Sequence, residues 1–241
     1  MTGAISVVLF DLDDTLFAHR EAVEAGVAAY RDLLGGDIAA AEHAVEIARW
    51  NALEEEHYHR YLTGELPFLG QRRERARAFM APFGVTLDDA EADSWFNAYV
   101  LHYEQNWSLH ADTMPCLAAL QDRGLRIGLI TNGDIVFQTA KIDAVGLTDH
   151  LDHVIASGEV GVAKPDPAIF ELAAERFNVP VAGACYVGDR LRTDALGAVA
   201  AGMLGVWLDR RGIASAEERA EASVAGVPII HSLSELPALL A

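Results

Sequence analysis

The chain has 241 residues, about half of them hydrophobic and 22% charged, with a formal net charge of −18. That composition excludes a disordered chain and suits one large domain or a domain carrying a sizeable insertion. An excess of acid this large disfavours a groove that tracks nucleic-acid phosphates, and an anionic membrane surface, whereas a small anionic substrate needs only a few local cations.

In chain order, Ala4–Phe10 is the first strand candidate. Residues 18–107 then offer no convincing strand and read as successive helices over His19–Leu34, Ile38–Leu62, Leu69–Phe83 and Leu87–Trp107, punctuated by Gly35-Gly36, Gly64 and Gly84. A strand–helix alternation follows. Its strands are Leu125–Ile130, Val154–Ala156, Cys185–Val187, Leu204–Leu208 and a short Pro228–Ile230. Its helices are Met114–Arg123, Ile135–Val145, Pro167–Phe177, Asp194–Ala201 and Leu233–Leu240. Apolar runs without clean alternation fit strands covered on both faces, and the βαβ rhythm predicts a doubly wound parallel α/β sheet. The expected organisation is an α/β core from residues 1–17 and 108–241, with a helical domain over 18–107 inserted after the first strand. Cys116 and Cys185 read as small buried hydrophobes, since two cysteines make no disulfide framework. The N-terminus shows no basic region or cleavage-like site, and its apolar run is too short to span a bilayer. A cytoplasmic chain is the expectation, as a monomer or homodimer.

In open α/β sheets, ligands bind beyond the carboxyl ends of the strands. After the first strand, in VVLFDLDDTLF, come Asp11, Asp13 and Asp14. After the second comes Thr131-Asn132-Gly133. Lys164 follows the third, in GVAKPDP, and Gly188-Asp189 with Asp194 follow the fourth. A parallel sheet brings these to one place: several acids, a hydroxyl, a lysine and backbone freed by glycine. Such a set of acids requires cations, and Mg²⁺ takes carboxylates together with waters and substrate phosphate oxygens. Lys164 is one of only two lysines, the other being Lys141, in a chain whose cations are otherwise arginine. It therefore reads as a compact point charge. Taken singly, each motif has a plainer reading: a DxD pair is a solvated turn, and Thr131, Asp189 and Asp194 are helix caps. Asp14 reads as a loop or capping acid, and Arg190 and Arg192 as solvated or paired.

Taken together, FDLDDT (Phe10–Thr15), ITN (Ile130–Asn132), Lys164 of AKPDP and GDRLRTD (Gly188–Asp194) resemble the four ordered motifs of the haloacid dehalogenase superfamily, mostly phosphatases. The helical insert resembles the family's α-helical cap of the first class, the region that largely sets substrate choice. The resemblance spans nearly the whole chain. It implies that Asp11 is the nucleophile forming an aspartyl-phosphate, and that Asp13 is the acid that protonates the leaving oxygen and then activates water. It implies further that Asp11, the Asp13 backbone carbonyl and Asp189 ligate Mg²⁺, and that Thr131 and the Asn132 backbone hold phosphoryl oxygens. Lys164 would offset charge on nucleophile and phosphate, and Asp194 would act from behind, bracing Lys164 or a metal-bound water. To serve as an acid near neutral pH, Asp13 needs its pKa raised from ~3.9 by about two units, within reach of neighbouring like charge and partial burial.

The insert contains no lysine, which argues against the phosphonate-cleaving branch and its Schiff-base lysine. Its charged run QRRERAR reads as a solvated helix face, with Arg72, Arg73 and Arg75 the residues that could meet a substrate anion. Trp50, Trp95, Phe96, Tyr99 and Trp107 read as its core. His57 and His59 point ~200° apart on a helix and do not chelate one ion. The expected function is Mg²⁺-dependent hydrolysis of a small phosphorylated metabolite: a nucleotide, a flavin precursor or a sugar phosphate. The alternatives are a 2-haloacid dehalogenase, in which the second aspartate is absent because a halide needs no proton, a phosphosugar mutase, and a catalytically silent binding protein, which would be expected to have lost a motif residue.

Overall fold

The computed structural model describes residues 4–241. The chain separates into two compact units, one holding the chain through Ala18 together with Ser108–Ala241, the other His19–Trp107.

The first unit is built on six parallel strands: β1 (Val7–Phe10), β2 (Arg126–Thr131), β3 (His153–Ala156), β4 (Ala184–Gly188), β5 (Leu204–Leu208) and β6 (Ile229–Ile230). Their order across the sheet is β3-β2-β1-β4-β5-β6. The order reverses between β1 and β4, whose register pairs Phe10 with Val187. In a doubly wound sheet that reversal is where a ligand crevice opens. β1 and β4 are buried along their whole length, as strands covered on both faces must be. On one face Val7, Leu9, Ile130 and Tyr186 pack against Ile169, Phe170 and Phe177. Gly128 in β2 makes room for this packing, because a Cβ there would stand 2.5 Å from the Phe177 ring.

The second unit holds α1 (His19–Leu34), α2 (Gly36–Ala40), α3 (His43–Leu62), α4 (Phe68–Met80) and α5 (Asp89–Glu104). Its core is aromatic: Trp50 is fully buried and lies 4.5 Å from Tyr99 and 5.1 Å from Phe79, centroid to centroid. The helix expected over Ile38–Leu62 is in fact two. Ala41 adopts an extended conformation, with φ −62° and ψ 150°. The break is supported by the buried Arg31, whose guanidinium donates to the carbonyls of Ile38 and Ala41, so carbonyls at the helix end keep partners.

The sheet is flanked by α6 (Thr113–Gln121), α7 (Ile135–Ala144), α8 (Ser157–Val160), α9 (Pro167–Arg176), α10 (Gly197–Ala201), α11 (Ala216–Val224) and α12 (Leu236–Leu239). The segment expected as one helix from Asp194 to Ala201 instead begins as a π-type turn over Leu191–Leu196. Such wide turns are frequent at functional sites. α11 has no counterpart in the sequence reading. Among the described residues, no helix is long and apolar enough to cross a membrane.

Candidate active site

Each motif sits where a strand ends. Asp11 follows β1 and its amide donates to Val187 O on β4 at 2.9 Å. The chain then turns tightly: the Leu16 and Phe17 amides both return to Leu12 O, at 3.0 and 2.9 Å. Asp14 takes φ +61° in this turn, a conformation that Asp tolerates better than most residues. The turn is pinned from outside by Arg210, which donates to Thr15 O at 2.7 Å and grips both oxygens of Asp112 at 2.8 and 2.9 Å.

Lys164 is the centre of the buried charge. Its ammonium lies 2.6 Å from Asp11 Oδ1, 2.7 Å from Asp194 Oδ1 and 2.7 Å from the Tyr186 hydroxyl. Tyr186 in turn donates to Ile130 O at 3.0 Å. Burial opposes the lysine's charge, but Asp11 and Asp194 overcome it, so its pKa sits above the ordinary value. Asn132 fastens the lysine's backbone, accepting from Lys164 N at 2.9 Å and donating to Lys164 O at 3.0 Å. Asp194 is 1% exposed, and its second oxygen accepts from Arg190 N at 2.9 Å.

Asp11, Asp189 and Asp194 each present a carboxylate oxygen, all within 4.8 Å of one another. Burial first, then the neighbouring Asp194 and Asp13 charges, push Asp11 up to about 7 against the opposing pull of Lys164. Burial and the charges of Asp194, Asp11 and Asp14 likewise raise Asp189 well above the ordinary carboxylate range. Three close carboxylates facing one ammonium form a donor set short of positive charge. It is all oxygen, the chemistry a hard divalent cation takes.

Thr131 is the last residue of β2 rather than the first beyond it, and is buried. Its Oγ1 accepts from Gln138 Nε2. Asp13 stands outside the three-carboxylate cluster. Its oxygens lie 2.8 and 3.0 Å from the Lys141 ammonium, and Gln138 donates to Oδ2 at 3.1 Å. The sequence reading places only like charges around Asp13, whereas the structure also puts a buried cation against it. Gln138, Lys141 and Tyr186 were not singled out for the site. The available signal was two polar residues three apart on the helix after Thr131-Asn132, and a tyrosine in an otherwise apolar strand.

The arginines named in the insert are engaged within it. Arg73 pairs with Asp93 at 2.6 Å and Asp89 at 2.8 Å. Arg75 is buried, 2.8 Å from Glu54 and 4.7 Å above the Trp50 ring. The Arg72 guanidinium lies over Phe68 and Phe96. Cys116 and Cys185 are buried and unbridged.

The haloacid dehalogenase-like hydrolase family model matches residues 5–202. A glyceraldehyde 3-phosphate phosphatase of Methanopyrus kandleri is 32% identical over 86% of this chain and 84% of its own length. A phosphoserine phosphatase of Thermus thermophilus is 40% identical over 44% of this chain, a match spanning 43% of the relative. A putative HAD-hydrolase, YfnB of Bacillus subtilis, in a structure bound to magnesium, superposes with a TM-score of 0.79 over 99% of both chains at 18% identity, sharing the fold. The chain is thus an enzyme of the haloacid dehalogenase-like hydrolase family.

Proposed function

We propose that the protein is a Mg²⁺-dependent phosphomonoester hydrolase acting on a small phosphorylated metabolite through an aspartyl-phosphate on Asp11. The observation that carries this reading is the buried Asp11 carboxylate, 2.6 Å from Lys164, clustered with Asp189 and Asp194 at the sheet's reversal point. Asp11, Asp189 and the Asp13 backbone carbonyl would hold the ion. Bound there, it would keep Asp11 ionised and neutralise charge on the phosphoryl group.

In the first half-reaction an Asp11 carboxylate oxygen attacks phosphorus, the bond to the leaving oxygen breaks, and Asp13 delivers a proton to that oxygen. In the second, Asp13 takes a proton from water as the water oxygen attacks phosphorus. The Asp11–phosphorus bond breaks and inorganic phosphate leaves. Thr131 and the Asn132 backbone would hold phosphoryl oxygens. Lys164, fixed by Asp194 and Tyr186, would balance charge through both steps. Dehalogenation would give Asp13 no proton to deliver, and a silent binding protein would have no use for a complete constellation. Among phosphate esters, the glyceraldehyde 3-phosphate phosphatase relative, matched over most of both chains, favours a small sugar phosphate.

The test is turnover of p-nitrophenyl phosphate with Mg²⁺ and with EDTA, followed by a panel of sugar phosphates, phosphoserine, nucleoside monophosphates and flavin-precursor phosphates. Mg²⁺-dependent release of phosphate is expected, absent in Asp11→Asn. Activity that persists under full chelation, or in Asp11→Asn, would overturn the assignment.

A further inference from the structure

We propose that Gln138 and Lys141 of α7 are positioning residues, which aim the Asp13 carboxyl at the leaving oxygen and the Thr131 hydroxyl at the phosphoryl group. The inference rests on the phosphatase reading above and deepens it.

The start of α7 is fixed close behind the β2 motif. The Asp134 carboxylate caps the helix by accepting from Phe137 N at 3.0 Å. Gln138 and Lys141 lie three residues apart and so share a helix face. Both are 3% exposed. The Lys141 ammonium meets both Asp13 oxygens, at 2.8 and 3.0 Å, and stands 5.3 Å from the centroids of the Phe17 and Phe137 rings. Two ring faces and a carboxylate leave that charge little freedom. The Asp13 side chain remains 29% exposed, so it is gripped along one edge and still within reach of a ligand.

Gln138 joins this pair to the phosphate-binding hydroxyl. An amide nitrogen carries two hydrogens. One goes to Asp13 Oδ2 and the other to Thr131 Oγ1. A hydroxyl that accepts from the amide keeps its own proton to donate elsewhere, and in a phosphatase that acceptor is a phosphoryl oxygen. One amide therefore sets the direction of the acid and of a phosphate donor together. Stability alone gives little reason to bury the Lys141 ammonium against Asp13, since the desolvation of a buried charge offsets much of what its ion pair gains.

The experiment compares kcat/KM for phenyl phosphate and p-nitrophenyl phosphate, two esters of similar shape. Phenolate is the far more basic leaving group and depends more on a delivered proton. In Lys141→Met, kcat/KM for phenyl phosphate is expected to fall at least ~10-fold further than for p-nitrophenyl phosphate, a fraction of what general acid catalysis supplies. Lys141→Arg is expected to recover part of that difference. Gln138→Met is expected to show the same selectivity and also to weaken inhibition by inorganic phosphate. Equal losses on the two esters, or no loss on either, would overturn the inference. Should Lys141→Met be recovered unfolded, Gln138→Met decides by the same criterion. Wild-type protein inactive on both esters would sink the phosphatase reading itself, and this inference with it.

Discussion

Asp194 occupies the space that a side chain on Gly188 would need. A Cβ on Gly188 would lie 2.4 Å from the Asp194 carboxyl carbon, and no real packing tolerates that separation. Gly188→Ala is expected to push Asp194 off Lys164, costing ~1–3 kcal/mol from overpacking and lowering kcat by at least ~10-fold through the displaced lysine. Thermal unfolding and steady-state kinetics on the same preparation check this. Full activity would mean that Asp194 does not need its present position.

Metal-free protein should lose stability as pH rises. Asp11 titrates at about 7 in the folded chain against 3.8 ordinarily, so between these values the folded state holds a proton that the unfolded chain releases. The stability this contributes is complete below about pH 4 and is lost as pH rises through about 7. Mg²⁺ is expected to offset the loss, by ~2.7 kcal/mol at a hundredfold excess over its dissociation constant. Urea unfolding at pH 5 and pH 8, with EDTA or Mg²⁺, measures both effects. Asp11→Asn should reduce the pH dependence and leave the part that Asp189 contributes, and Asp189→Asn should abolish most of the gain from Mg²⁺.

Asp112 supplies a dependence of opposite sign. Partial burial works against its charge, but hydrogen bonds from Arg210, Ser232 and Leu233 N outweigh this and hold it at about 2. A depressed carboxylate stabilises the fold above its ordinary pKa, and that stability disappears as pH falls from about 4 through 2. After allowance for solvent screening the contribution is about 1 kcal/mol. Asp112→Asn should therefore be less stable than wild type at pH 7, with the gap narrowing as pH falls from about 4 and closed near pH 2 in guanidinium titrations.

Arg73 and Arg75 should behave differently despite standing two residues apart. Arg73→Ala removes pairs with partly exposed Asp89 and Asp93 and should change stability by no more than ~1 kcal/mol. Arg75→Met removes a buried cation from the face of Trp50 and from Glu54, whose side chain stays 24% exposed, and ~1–3 kcal/mol is expected from the lost packing and the lost hydrogen bond. Chemical denaturation of the two variants side by side checks the contrast.

The positions of Asp11, Thr131, Lys164 and Asp189 were readable because strand ends are marked by short apolar runs, and a parallel sheet gathers those ends. Gln138 and Lys141 were not readable for their contacts with Asp13. That meeting depends on how α7 lies against the turn after β1, and residue spacing does not encode it. The break at Ala41 was hidden because its support is a side chain near the end of α1, Arg31, folding back onto the carbonyls of Ile38 and Ala41, which helical periodicity does not register. α11 was legible and was missed: Ser215 and Glu218 form a capping box, a pattern visible in the sequence SAEE. The π-type turn at Leu191–Leu196 could not be read locally, because Asp194 turns inward to meet a lysine thirty residues earlier in the chain.

The amide of Asn132 addresses the N–H and the C=O of one residue, Lys164. In effect a side chain serves as the neighbouring strand that Lys164 lacks. Aspartate could accept the N–H but would set a carboxylate against the carbonyl, and leucine would satisfy neither group. Position 132 is therefore confined to a very small chemical alphabet by a partner it recognises only through backbone. The residues between the two can change in sequence while the fastening endures, as a latch outlasts repainting of the door.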